Sequence, residues 1–164
     1  MPAYMRSLWR SGLCPHLVPA GFYEENGILR IRLNREGLTS VQAYAAACPD
    51  GLEGSFCFLL QALTSAASSF AALQSWLAEP SHISLAPEDL YYDRKTQRSL
   101  LVFSEDADPQ DFLPRFLTLC HGLGGSGRLI GERLEQAASS CILEEKGTAR
   151  FLSSWRQQIL APGR

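Results

Sequence analysis

The chain has 164 residues, 46% hydrophobic and 20% charged, with a formal net charge of −2 and a pI near 5.9. One domain of this length buries roughly 70% of the surface its unfolded chain exposes. The charge balance and the absence of a basic stripe argue against nucleic acid as a partner.

Residues 1–16, MPAYMRSLWRSGLCPH, hold no apolar run of seven or more residues, so they do not read as a signal sequence. We expect an irregular segment there, with Trp9, beside Tyr4, Met5 and Leu8, as a partner-facing anchor. From Leu17 to Leu33 two alternating runs flank Asn26-Gly27, a dipeptide that tolerates positive φ at both positions. The pattern predicts strands near 18–24 and 28–33, with Leu29, Ile31 and Leu33 on one face and Ile28, Arg30 and Arg32 on the other. Thr39 is placed to cap a short helix running to about Cys48, and Pro49-Asp50-Gly51 stops it.

The helical body is expected over 52–164. Phe56, Leu59, Leu60, Leu63, Ala67, Phe70, Leu73, Trp76 and Leu77 recur at three- and four-residue steps and predict the longest helix, Leu52 to Ala78. Nowhere do eighteen apolar residues run together, so no membrane insertion is expected and the domain reads as soluble and cytoplasmic. Leu90-Tyr91-Tyr92 and Ser99 to Phe103 form a second predicted hairpin across residues 93–97. Asp108-Pro109 offers a helix start, and Phe112, Phe116, Leu119, Cys120 and Leu123 supply its buried face. After a glycine-rich break, Leu129, Leu134 and Ala137 mark a helix to about Cys141. A last one, from about Lys146 to Leu160, presents Phe151, Leu152, Trp155 and Ile159.

Five cysteines, at 14, 48, 57, 120 and 141, sit among apolar neighbours and read as buried reduced thiols. Cys14 with His16 and Cys120 with His121 lack second pairs at zinc-finger spacing, so no metal is expected. Gly122-Leu123-Gly124-Gly125-Ser126-Gly127 satisfies G-x-G-x-x-G, but FLPRFLTLCH before it has helical periodicity where a dinucleotide-binding fold needs a strand. Arg128 breaks the G-x-S-x-G elbow at Ser126, and no histidine follows His121 to complete a hydrolase triad.

The segment from His82 to Asp93, HISLAPEDLYYD, lies in register with the protein-kinase catalytic loop H-R-D-L-x-P-E-N-I-L-L-D. His82, Pro87 and Asp93 keep the frame. Ser84 stands where the kinase has the aspartate that accepts the substrate proton, and Asp89 where it has the magnesium-holding asparagine. Lys95 and Lys146 both follow the loop, so the kinase phosphate lysine has no counterpart, and no D-F-G appears. The nearest substitute is Phe103-Ser104-Glu105-Asp106.

The order hairpin, helices, hairpin, helices, together with Leu17-Val18-Pro19, Leu29 to Asn34 before Gly37-Leu38-Thr39-Ser40, and PSHISLAPEDLYYD, resembles a bacterial domain of unknown function. That domain usually precedes forkhead-associated domains and reads as a degenerate kinase. The resemblance implies a single α+β domain over 1–164: an irregular 1–16, a hairpin and short helix over 17–51, and a body over 52–164 like a reduced kinase C-terminal lobe. It implies a pseudokinase-like protein-interaction or scaffolding module, with a protein partner and no cofactor, and not an enzyme. The alternative is a magnesium-nucleotide binder or residual phosphotransferase using Asp89 and an acid from Glu105 to Asp108.

Overall fold

The computed structural model describes residues 1–47, 51–123, 128–144, 151, 153–155 and 157. Its first element corrects the expected irregular N-terminus. Ala3–Ser11 form helix α1, which buries Met5 and Trp9, four residues apart on one face, and ends at Gly12 with φ 65°. Trp9 is 2% exposed. Its Nε1 donates to the Val18 carbonyl at 2.7 Å, and its ring meets Phe22 and Phe103 edge-on, both at 5.6 Å. A large ring with a satisfied N–H gains more from this burial than from solvent exposure. Trp9 is therefore a core residue and no partner-facing anchor.

The predicted hairpin is present as β1 (Ala20–Glu25) and β2 (Ile28–Leu33). Asn26 and Gly27 both have positive φ, 54° and 75°, as the twist of a two-residue turn requires. It starts two residues later than expected, because Val18 gives its N–H to Leu101 and Leu17 bridges Leu101 in parallel. Phe22, Ile31 and Leu33 turn their half-buried sides to the body.

Strand β3 (Leu38–Ser40) pairs antiparallel with β5 (Tyr91–Asp93), Thr39 opposite Tyr92. That pairing commits Thr39 to a ladder, and the cap passes to Ser40, whose Oγ accepts the Ala43 N–H in helix α2 (Val41–Ala46). The predicted end near Cys48 lies outside the described residues.

The longest helix, α3 (Gly51–Ser75), is the spine of the fold. Leu59, Ala62, Leu63, Ala66, Ala67, Phe70 and Leu73 are buried along it. Its stretch Glu53–Ser75, of mean hydropathy 1.6, is long and apolar enough to cross a membrane, yet 44% of that window is buried inside the domain. A sheet of order β3-β5-β6, with β6 at Arg98–Leu100, lies against it. Ser99 welds the two: its N–H donates to Ser65 Oγ, its Oγ donates to the Ala62 carbonyl, and its carbonyl accepts from Ser69 Oγ.

α3 stops three residues short of the predicted end. Leu77 adopts φ 59°, with Leu77 N–H bonded to Gln74 O and Ala78 N–H to Leu73 O. This is the left-handed cap that glycine usually fills. Trp76 and Leu77, expected on the apolar stripe, are 37% and 77% exposed instead.

The predicted strand from Ser99 to Phe103 is broken at Leu101, whose N–H turns to the His16 carbonyl. Beyond the break, β7 (Val102–Phe103) pairs with β4 (Ile83–Ser84). Helix α4 (Phe112–Gly122) begins after Asp111, not at Asp108, and buries Phe112, Phe116, Leu119 and Cys120. Helix α5 (Arg128–Glu144) packs on it through Ile130, Leu134 and Ala138. Phe151 and Trp155 are buried against Phe116, and Trp155 Nε1 donates to Thr64 Oγ1 at 2.6 Å; Lys146, Leu152 and Ile159 lie outside the described residues. The fold is α+β.

Leu77→Gly removes the left-handed strain of a side chain, about 1–2 kcal/mol, against about 0.5–1 kcal/mol of added unfolded-state freedom. Urea unfolding is expected to show a gain of about 0.5–1 kcal/mol; a lower midpoint would contradict the capping role.

Candidate functional site

The catalytic-loop-like segment begins as Pro80–His82, a 3-10 turn that follows the end of α3. His82 is 8% exposed. Its N–H donates to Glu79 O, its carbonyl accepts from Ser104 N–H at 2.8 Å, and its Nδ1 lies 3.0 Å from Ser104 O. The ring thus pins the loop to the end of β7.

Ser84 and Asp89 face each other across the next turn. Ser84 Oγ donates to Asp89 Oδ2 at 2.7 Å and accepts the Ala86 N–H at 3.3 Å, while Asp89 N–H closes the turn on Ala86 O. The Ser84 hydroxyl thus spends its one donor on the Asp89 carboxylate. Asp89 spends one carboxylate oxygen on the same bond. Leu90 O accepts the Val41 N–H, tying the turn to α2.

Pro87 sits between these residues and α4. A Cβ built on Gly122 would stand 2.5 Å from Pro87 Cγ, so the bare glycine lets the helix end approach the ring. Gly122 therefore serves close packing and ends α4; Gly124 to Gly127 lie outside the described residues. Asp93, last in the kinase-like frame, caps the β5–β6 turn. Thr96 Oγ1 at 2.8 Å, then the Lys95 N–H at 2.9 Å, hold its carboxyl below the usual range.

Beneath the loop lies a residue that the sequence reading did not single out. Arg115, 6% exposed, rises from α4. Its Nη1 donates to Pro80 O at 3.0 Å, Nη2 to Ile83 O, and Nε pairs with Asp108 Oδ2 at 3.1 Å. Burial pulls its pKa down from the ordinary arginine value, and Asp108 opposes the shift. Its signal was an arginine on the apolar stripe of Phe112, Phe116 and Leu119, where a charge must have partners. Asp108 is thus an ion-pair partner that also accepts the Gln110 N–H, and not the helix cap.

An open cleft of about 380 Å³ runs beside the loop, walled by Ser84, Pro87, Glu88, Ser104, Asp106, Asp108 and Arg115 among others. Ser84 and the predicted acids Asp106 and Asp108 thus share one cavity. Asp89 reaches it only through Ser84, and Glu105 instead meets the Met1 ammonium, through its carbonyl at 2.9 Å and its Oε2 at 3.4 Å. Among the described residues no three His, Cys, Asp or Glu side chains gather at metal-binding range.

The remaining candidates go elsewhere. Cys14 and Cys120 are buried, and burial pushes both thiols up, Cys120 far up. Cys57 is exposed, against the expectation of a buried thiol. His16 bonds to Ser69 Oγ, and His121 to Glu135 across α4 and α5.

No protein-family model matches the chain, and no curated protein matches it. A solved structure similar to it is the crystal structure of the Staphylococcus aureus ESSB cytoplasmic fragment, 15% identical with a TM-score of 0.49, the match covering 94% of this chain and 83% of that one.

Gly122→Ala is expected to destabilise the domain by about 1–3 kcal/mol in urea unfolding, because the new methyl overpacks against a rigid ring. A neutral or stabilising result, as helix propensity alone would give, would contradict the packing of Pro87 on α4.

Proposed function

We propose that this domain is a non-catalytic protein-interaction or scaffolding module of pseudokinase-like type, working in the bacterial cytoplasm. The observation that carries the reading is the Ser84–Asp89 hydrogen bond at 2.7 Å. At the two loop positions where a kinase keeps a base and a metal ligand, these side chains satisfy each other and hold a turn.

The charges around them support the same reading. Phosphoryl transfer needs a cation free to meet phosphate. Arg115 is a buried cation beside the loop, and three of its five N–H donors go to two carbonyls and Asp108. Lys95 sits at the exposed tip of the β5–β6 turn. The resemblance to the bacterial domain that precedes forkhead-associated domains belongs to this proposal, and so does a protein partner.

A second reading, magnesium-nucleotide binding, is favoured by the cleft that brings Asp106 and Asp108 beside Ser84. The two separate by a thermal melt in millimolar magnesium ATP. Ligand at 100 times its Kd adds about 2.7 kcal/mol, a rise of several degrees. We expect no rise; a rise that Asp106→Asn abolishes would establish nucleotide binding and overturn the non-catalytic reading.

A further inference from the structure

Helix α1 and the β1–β2 hairpin enclose a groove of about 280 Å³, lined by Ala3, Arg6, Ser7, Arg10, Phe22 and Leu29. Its floor is apolar. Phe22 is half-buried, its inner edge covered by Trp9, and Leu29 is 42% exposed at the hairpin end. Its rim is cationic: Arg10 stands over the Phe22 ring with Cζ 5.3 Å from the centroid, and Arg6 lies one helical turn before it.

Two arginines four residues apart on a helix repel each other. Arg30 pairs with Glu25, Arg115 with Asp108 and Arg133 with Glu53. Arg6 and Arg10 have no carboxylate partner among the described residues, although Glu24 lies opposite Leu29 in the hairpin register. An occupant bringing negative charge would relieve the repulsion and cover the exposed leucine in one step.

We propose that this groove binds an acidic peptide segment, an apolar side chain seated on Phe22 and Leu29 with flanking carboxylates on Arg6 and Arg10. The volume suits one or two side chains and is too small for a folded domain. The β1–β2 sheet is two-stranded, which leaves each strand an edge unpaired by another strand, so an extended segment can lie along the hairpin. The proposal deepens the interaction reading by naming a surface and the chemistry of its partner. Helix α1 supplies both parts of the groove: Trp9 supports the Phe22 ring from below, and Arg6 and Arg10 form the rim.

The test uses the full chain and a fluorescein-labelled Glu-Glu-Leu-Glu-Glu peptide, read by anisotropy, with Lys-Lys-Leu-Lys-Lys as the control. Saturable binding of the acidic peptide is expected, with none for the basic one. Arg6→Gln with Arg10→Gln weakens it about tenfold, the upper range for two exposed ion pairs. Leu29→Asp weakens it independently, and circular dichroism checks that each variant is folded. No saturable binding at millimolar peptide, or equal binding by the double variant, would overturn the proposal. So would sedimentation of the chain with phosphatidylserine vesicles that is lost in the same variant while the peptide fails, since that assigns the surface to a membrane. Failure of the peptide alone removes this groove and leaves the non-catalytic reading standing, whereas magnesium ATP binding strikes that reading and leaves the groove untouched.

Discussion

A guanidinium carried into a protein interior keeps its charge, so its donors must meet acceptors or the domain loses several kcal/mol. Arg115 meets this demand with Pro80 O and Ile83 O, more than thirty residues before it, and with Asp108, seven residues before it. One side chain of α4 therefore sets where the loop after α3 lies and where the acidic stretch after β7 returns. With those two segments fixed, β4 meets β7, His82 meets Ser104, and the turn that joins Ser84 to Asp89 has one available place.

Ser99 plays a comparable part on the other side of α3. Each of its three polar groups is bonded to that helix, so a strand is seated on an apolar helix by polar contacts at one register position. The register matters because slipping by one residue would turn Ser99 away and leave three buried groups unpaired. Hydrophobic burial along α3 supplies the bulk of the stabilisation, and Ser99 and Arg115 select which arrangement is reached.

Local chemistry was legible in the sequence wherever one short stretch decided the outcome. Asn26-Gly27 set its hairpin because only that turn needs two residues of positive φ, and α3 followed from its apolar period. Errors arose where a distant partner decided. Thr39 was a sound cap until Tyr92 claimed its backbone, Asp108 was one until Arg115 claimed its carboxylate, and Trp9 looked exposed until Val18, Phe22 and Phe103 enclosed it. The end of α3 was missed because leucine occupies a position that glycine would have announced. At the candidate site, the frame of His82, Ser84, Pro87, Asp89 and Asp93 was visible, while its meaning depended on contacts with Ser104, Gly122, Lys95 and Thr96 that no spacing encodes.

The loop walls an open cleft, yet its polar groups bond to one another and its two ends are tied to α4 and β7. Native-state amide hydrogen exchange tests this most directly at Asp89 and Ser104, whose N–H groups donate to Ala86 and His82. The account predicts opening free energies near that of global unfolding for both, comparable with the Leu101 amide in the centre of the fold. Exchange at the rate of the exposed Lys95 turn, through a local opening that costs little, would show that Arg115 does not lock the segment and would contradict the account.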